Sequence, residues 1–352
     1  MKRTRPTSPS DQPRRERDFV STLVANPARP ENIMRFQSFD HPRRSTALAV
    51  LAALAAFSGT AAAIDWTGAP TTEIPVFYPG QASWEWVMTE KDHSGAPNFR
   101  AGKNCKACHD GEQADIGAAV VAGSRLSPGP VAGRPGMIPL HVQTAHDADR
   151  LYFRLRWKAG SGATPFDAEV AARVTVMIDD GSVKEAARAG CWGSCHDDGI
   201  GMASAPEGSQ ISKYLSASRV KLTRQGGGEN IKPEADLAAL RNSGAFLEYW
   251  QAKLNPGQPA LAASGYILDK RHRLDDGAVS AQAEFAGGEW TVVLSRPLAA
   301  SGVGRKPLAH GKTYTVGFAV HDDHADHRHH HVSFEYTLTL DGAGSDLIAT
   351  AR

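Results

Sequence analysis

Cysteine is scarce in this sequence, and the usual catalytic motifs are missing. The 352 residues include 4 cysteines, all of them in two short motifs at 105–109 and 191–196. None is left over for the disulfide framework that staples small secreted domains. The chain also lacks a phosphate-binding glycine loop, a nucleophile with an identifiable base, and a carboxylate pair whose spacing argues for acid–base catalysis. No catalytic constellation is therefore predicted.

Long apolar runs are also missing, since the run at 45–57 is too short to span a membrane. It follows a basic stretch and precedes an Ala-x-Ala site, which predicts a secretory signal peptide over residues 34–63, cleaved after Ala63. An uncleaved anchor is the alternative. Residues 1–33, polar and rich in arginine and proline, are expected to be an unstructured or non-native extension ahead of a start at Met34. We therefore expect a periplasmic protein with no membrane span.

A large excess of charge of either sign is absent as well. Residues 1–63 hold 10 of the 39 Lys and Arg and 5 of the 38 Asp and Glu, which leaves 29 basic and 33 acidic side chains in the exported part. A mildly acidic protein of this kind offers no basic face for nucleic acid.

The first cysteine motif reads Cys105-Lys106-Ala107-Cys108-His109. Two thiols at this spacing, followed at once by a histidine, are the attachment pattern of c-type haem, with the imidazole as proximal iron ligand. A disulfide between Cys105 and Cys108 or a zinc site is the alternative, although zinc would need four ligands at finger-like spacing. For the opposite face of the iron the segment offers Met88 and His93. We favour His93, a loop imidazole whose alternative is a plain surface residue.

The second motif places three residues between Cys191 and Cys195 and is followed directly by His196. Both thiols can still reach the vinyl groups if the loop bulges, so we expect a second haem c with His196 as proximal ligand. A thioredoxin-type redox disulfide is the alternative, but it needs a two-residue spacer and a βαβ setting. Trp192 is expected to pack on the porphyrin edge or to fill ordinary core.

A histidine-rich tract at 321–331 carries six imidazoles in eleven residues. Such tracts often bind zinc, copper or nickel, and a solvated loop without a ligand is the other alternative. We expect one of these imidazoles to be the distal ligand of the second haem. His330 and His331, next to a predicted strand, are favoured over the histidines in the middle of the tract, and Met202 is a weaker candidate.

Period-two alternation of apolar and polar residues predicts a mainly β fold, an antiparallel β-sandwich. The clearest case is a hairpin at 140–157. Further strands are expected at 172–178, 265–268, 278–285, 290–295, 313–321 and 332–340.

The expected organisation is a sandwich domain over residues 136–345, with a loop and helix insertion at 182–264 that carries the second cysteine motif. A smaller segment at 64–135, made of loops and short helices, is expected to build its core around the first haem.

Four stretches together resemble the ethylbenzene dehydrogenase-related haem-binding family, which includes haem subunits of periplasmic molybdenum dehydrogenases and related c-type cytochromes. The resemblance covers about Pro139 to Asp341 and implies a β-sandwich whose loops enclose a haem, with electron transfer as the task. The stretches that carry it are Leu151 to Trp157, Gly190 to Asp198, Gly288 to Arg296 and Gly317 to Asp323.

The best-known haem subunits of that family hold a b-type haem through a methionine and a lysine, for which Met202 and Lys213 are candidates here. The cysteines at 191 and 195 with His196 depart from that pattern. They are similar to the cytochrome branch of the family, which also carries an upstream Cys-x-x-Cys-His unit.

The resulting prediction is a periplasmic dihaem c-type cytochrome that transfers single electrons in a respiratory or dehydrogenase pathway. Its expected partners are redox proteins, such as a molybdenum enzyme or a membrane quinol-oxidising complex. A haem subunit of a molybdenum dehydrogenase complex is the first alternative. A haem enzyme, either a peroxidase or a small-ion reductase, is the second and would need an iron with an open distal face.

Overall fold

The computed structural model of the protein describes residues 64–79, 84–124, 133–160, 170–190, 214–221, 231–300, 302–322 and 330–352. Within these ranges, no helix has the length and apolar character needed to cross a membrane.

The helices are α1 (Trp84–Val87), α2 (Ala96–Arg100), α3 (Cys105–His109), α4 (Gln113–Val121), α5 (Lys184–Ala189) and α6 (Glu234–Asn242), with a 3-10 turn at Ser216–Ser218. The strands before residue 260 are β1 (Thr72–Phe77), β2 (Met137–His146), β3 (Arg150–Lys158), β4 (Ala172–Asp179) and β5 (Leu247–Leu254). Those after it are β6 (Leu261–Ile267), β7 (Arg271–Arg273), β8 (Ser280–Ala286), β9 (Glu289–Pro297), β10 (Thr313–Asp322), β11 (His331–Val332), β12 (Tyr336–Leu340) and β13 (Leu347–Ala351).

The predicted hairpin is present as β2 and β3, which pair antiparallel with His146 opposite Leu151. Its turn is closed by the carboxylate of Asp147, whose Oδ1 accepts from the backbone N–H of Asp149 at 2.8 Å and of Arg150 at 2.7 Å. An aspartate that binds the backbone a few residues ahead favours a turn over a continued strand. Along β3 every second residue is buried, as the alternation predicted.

The strands form a mainly antiparallel β-sandwich, in which only β13 among the described strands pairs in parallel, with β12 and β2; this confirms the predicted fold class. They follow the order β7-β6-β5-β4-β10-β11-β1-β2-β3-β9-β8, and β12 and β13 connect β10 to β2. The main core lies between the two halves of this path. There the ring of Phe153 on β3 lies 5.6 Å from that of Trp250 on β5 and 6.1 Å from that of Phe318 on β10.

Two strands lie where the sequence patterns predicted loops and helices. β1 falls inside the segment 64–135 and pairs with both β2 and β11, so this segment contributes to the sheet itself. β5 falls inside the insertion expected at 182–264 and pairs with β4 and β6, so the excursion ends before Leu247. β5 is buried on both faces and therefore shows no alternation of apolar and polar residues.

A second apolar cluster covers the outer face of β4 and β5 and explains that burial. Successive strand residues point to opposite faces: Trp250 enters the main core, whereas Tyr249 joins this outer cluster. Helical segments from the 64–135 segment and from the start of the 182–264 excursion pack onto it. Its members from those segments are Trp84, Val87, Phe99, Cys105, Val183, Ala186 and Ala189.

Candidate haem-binding site

The first cysteine motif forms the short helix α3, and the residue before it explains why the helix begins there. The side-chain Oδ1 of Asn104 accepts from the backbone N–H of Ala107 at 2.7 Å and thereby caps the helix. One turn of helix then directs the two thiols differently, since Cys105 is buried in the outer cluster and Cys108 is exposed. No disulfide joins the two residues.

His109, at the end of α3, faces His93 across a narrow gap. The ring centroids of the two imidazoles are 6.1 Å apart, and the ring planes are inclined by 38°. Two metal–nitrogen bonds of about 2 Å each, together with the two ring halves, span roughly 6 Å. The separation therefore fits two axial imidazoles on one iron, which is the pairing that the sequence predicted.

Both imidazoles are oriented by a hydrogen bond at Nδ1. His109 Nδ1–H donates to the carboxylate of Glu112 at 2.8 Å, and His93 Nδ1–H donates to the carbonyl of Val87 at 3.0 Å. Each acceptor fixes the ring hydrogen on Nδ1, so Nε2 carries the lone pair that binds a metal. Histidines that bind metals have this outer arrangement as a rule. The roles of Glu112 and Val87 escaped sequence reasoning, although a carboxylate three residues after the motif is a usable signal.

Gly95 lets the His93 ring lie close against the backbone. A Cβ atom at this position would lie 3.0 Å from Cε1 and 3.1 Å from Nε2 of His93. These contacts are closer than ordinary van der Waals separation, so a larger residue would push the ring away. The residues present thus fit a haem iron held between His93 and His109.

The segment that leads into the second motif binds the segment that leads into the first. Arg188 Nε on α5 donates to the carbonyl of Lys103 at 2.9 Å, and a terminal nitrogen of Arg188 donates to the carbonyl of Phe99. The same guanidinium lies 4.3 Å from the centre of the Phe99 ring. Because Cys191 is the second residue after α5 and Cys105 the second after Lys103, the chain enters both motifs from neighbouring points.

A buried carboxyl, Glu335, lies between these two entry points. Its Oε1 accepts from the backbone N–H of Lys106 at 3.1 Å, and a Cβ atom on Gly190 would lie 2.7 Å from the backbone nitrogen of Glu335. Gly190 has a φ of 58°, so both its backbone and its surroundings require glycine. Burial raises the pKa of Glu335 from its ordinary 4.5 to about 7, and the N–H of Lys106 and its charge only partly offset this.

Glu335→Gln is expected to remove a pH dependence of stability. Below pH 4.5 the carboxyl is protonated in both the folded and the unfolded chain, and between 4.5 and 7 only the folded chain keeps its proton. Stability therefore falls through this window and stays about 3 kcal/mol lower above pH 7. Glutamine keeps an oxygen that can accept from the Lys106 N–H. In denaturant unfolding, the variant should therefore have a higher free energy of unfolding than the native protein at pH 8 and a similar one at pH 4.5. Parallel pH profiles for the two proteins would contradict this.

The two favoured histidines of the tract are both buried. His331 Nε2–H donates to the carbonyl of Pro135 at 2.9 Å, and the ring stacks on Tyr78 with centroids 4.1 Å apart. Burial lowers the pKa of His331 to about 4, so the ring is neutral and its lone pair is on Nδ1. That nitrogen is buried and has no hydrogen-bond partner among the described residues. His330 stacks instead on His321, with centroids 4.1 Å apart.

The second motif itself lies outside the described residues. The residues that remain predictions for this reason are Cys191, Trp192, Cys195, His196, Met202 and Lys213.

A β-sandwich that presents a Cys-x-x-Cys-His helix and an opposed histidine on its outer face defines a haem-binding sandwich protein. A family model described as ethylbenzene dehydrogenase matches residues 63–284 and 272–333. The chain belongs to the ethylbenzene dehydrogenase-related cytochrome family.

Two relatives in this family are named as cytochromes. Cytochrome c-552 of Stutzerimonas stutzeri is 35% identical over 288 residues, which are 81% of this chain and 90% of that protein. Cytochrome c-551 of Rhodocyclus tenuis is 27% identical over 290 residues, 82% of this chain and 99% of that protein. The similarity extends over nearly the whole length of both relatives.

Solved structures give only a distant likeness. A family 9 carbohydrate binding module from Caldicellulosiruptor kristjanssonii in complex with glucose matches 56% of this chain and 66% of its own, at 8% identity and a TM-score of 0.26. The same type of module in complex with cellotriose matches 61% and 75%, at 11% identity and a TM-score of 0.25. Scores this low bear on neither fold nor function.

Proposed function

We propose that the protein is a periplasmic dihaem c-type cytochrome that transfers single electrons between redox partner proteins. Cys105 and Cys108 would hold the first haem covalently, with His109 and His93 as its axial ligands. Cys191, Cys195 and His196 would hold the second. Such a haem, when bound, supplies an iron that accepts and releases one electron.

The opposed imidazoles of His93 and His109 carry this proposal. Their 6.1 Å separation and their anchored Nδ1 atoms would keep both ligands in place in either oxidation state of an iron. Rigid ligands suit a carrier, because little of the protein then has to reorganise. Catalysis at the iron requires an open position, so His93 opposite His109 favours a carrier over a peroxidase or small-ion reductase at this haem.

The contacts of Arg188 and Glu335 support transfer between two haems in one chain. Arg188 binds the carbonyls of Phe99 and Lys103, and Glu335 lies against both Lys106 and Gly190. Both contacts bring the two attachment segments together, and electron transfer between cofactors requires short distances. For the distal side of the second haem, the unpaired Nδ1 of His331 makes this residue a better candidate than His330.

The number of covalent haems can be measured on the exported protein by intact mass together with the reduced spectrum in alkaline pyridine. We expect a mass increase of two haems in the native chain. Cys105→Ala/Cys108→Ala and Cys191→Ala/Cys195→Ala should each lose one. A native chain with one covalent haem, unchanged by the second double substitution, would overturn the dihaem proposal.

The partners that we propose are a molybdenum enzyme or a membrane quinol-oxidising complex on the periplasmic side. Reduction of the purified cytochrome by either candidate, followed by stopped-flow absorption, would identify the donor.

A further inference from the structure

Three side chains converge at the C-terminal end of β12, the end away from Glu335 and the first cysteine motif. His146 is the last residue of β2, His310 lies in the turn before β10, and Asp341 follows β12 directly. Asp341 Oδ2 lies 2.7 Å from His146 Nε2 and 3.0 Å from His310 Nδ1. One ligand atom from each of the three residues lies within 4.8 Å of the other two, an arrangement unique among the described residues.

The hydrogen bonds of His146 make this contact unusual for a neutral histidine. Its Nδ1 lies 3.0 Å from the carbonyl oxygen of Asp147, which can only accept, so the ring hydrogen is on Nδ1. In the neutral ring, Nε2 then directs a lone pair at the carboxylate oxygen of Asp341. Two lone pairs at 2.7 Å repel each other unless a proton or a metal ion lies between them.

The backbone at Asp341 is unusual as well. Its φ of 54° is the one positive φ found at a non-glycine residue in the described part of the chain. This left-handed conformation is uncommon for residues with a side chain, although aspartate tolerates it better than most. The left-handed turn at Asp341 ends β12. Two hydrogen bonds then hold this residue against β13: Asp341 N–H donates to Ala349 O at 3.0 Å, and Ala351 N–H donates to Asp341 Oδ1 at 3.3 Å. The carboxylate is therefore held at the end of β2.

We infer that His146, His310 and Asp341 form a binding site for a divalent transition-metal ion, zinc in the first place, with water completing the coordination. Two imidazoles and one carboxylate are a usual zinc ligand set when a fourth position stays open. The bond from His146 Nδ1 to a backbone carbonyl is the usual outer support of a metal-binding histidine.

Entry to the site is open on one side. His146 is 4% exposed, whereas His310 and Asp341 are about half exposed, with side chains 55% and 44% accessible. Ligand atoms in a tetrahedral zinc site lie about 3.3 Å apart, given bonds of 2.0–2.1 Å. Rotation of the two exposed side chains would have to widen the present hydrogen-bond distances of 2.7 and 3.0 Å to that value and to close the remaining separation, which is at most 4.8 Å.

Metal bound here would fasten the C-terminal strand to the sandwich. Ala351 of β13 pairs with His146, and Arg352 N–H donates to His146 O at 2.9 Å. Glu335, next to the first haem motif, precedes β12, whereas Asp341 follows it. The five strand residues between them span roughly 17 Å at about 3.3 Å each, so metal binding should leave the haem absorption spectrum unchanged.

The test uses the full-length holoprotein with His324, His327 and His329 replaced by glutamine, because these imidazoles would bind zinc independently. After dialysis against a chelator, zinc is titrated by calorimetry, and retained zinc is counted by elemental analysis. We expect one equivalent per chain and a higher melting temperature with zinc. His310→Ala and Asp341→Asn should each weaken binding by about tenfold or more.

His141→Ala is the matched control, because His141 lies on the same strand, is partly exposed and belongs to no such cluster. It should bind zinc as tightly as its parent. The site would be overturned, leaving a plain ion pair, if the parent took up no zinc. The same would follow if His310→Ala and Asp341→Asn bound zinc as tightly as the parent. The haem spectrum of each variant shows that it has folded, and haem content and zinc uptake are independent outcomes.

Discussion

In His93→Ala, one of the two proposed haems will change from a six-coordinate low-spin state to a high-spin state. The substitution removes the imidazole that faces His109 at 6.1 Å, and the alanine methyl cannot bind iron. Because the second haem keeps its ligands, about half of the low-spin absorption should be lost. Optical and electron paramagnetic resonance spectra of oxidised protein measure this change. Added imidazole should restore the low-spin state.

Two further variants make the His93 result specific. His141→Ala removes a partly exposed histidine on β2 and should leave the spectrum as it is. Met88→Leu tests the other ligand that the segment offers. Its backbone carbonyl accepts from Arg100 at 2.7 Å, a contact that leucine retains. If Met88→Leu alters the spin state and His93→Ala does not, the distal ligand is Met88.

Glu248→Gln should be among the most destabilising single substitutions in the sandwich. The carboxylate is fully buried, lies 2.9 Å from Arg296 Nε and 3.2 Å from Arg305 Nη1, and accepts from the Lys306 N–H at 2.6 Å. The Arg296 side chain is 1% exposed, and this burial lowers its pKa. Arg305 also pairs with Asp276 at 2.6 Å, but Arg296 would be left buried without a carboxylate partner. The substitution should therefore cost about 3–5 kcal/mol. Denaturant unfolding of the holoprotein measures this loss.

Glu289→Gln is the matched control for that experiment. Glu289 pairs with Arg156 at 3.6 Å, but both side chains are partly exposed. Water and salt screen such a pair, so the change should cost less than about 1 kcal/mol. Equal losses in the two variants would show that burial of Glu248 does not govern its contribution.

Local patterns were sufficient for those parts of the fold that have one solvated face. The hairpin of β2 and β3 follows from alternation and from the turn at Asp147. Local patterns failed where both faces are covered, since β5 is buried along nearly its whole length and lies within the predicted loop and helix insertion. β1 was missed because its pairing with β2 and β11 is a long-range contact that a six-residue segment does not encode.

The sequence by itself was enough to propose the first haem attachment, because Cys105, Cys108 and His109 lie within one turn of helix and need no distant residue to be placed. It also named His93, but only the tertiary structure brought that ring opposite His109 and bound its Nδ1 to Val87. The gathering of His146, His310 and Asp341 was likewise decided by strand pairing, as these residues are separated by 164 and 31 positions. A site made of residues that are neighbours in the sequence can be recognised from the sequence alone, whereas a site made of residues on different strands depends on how those strands pair.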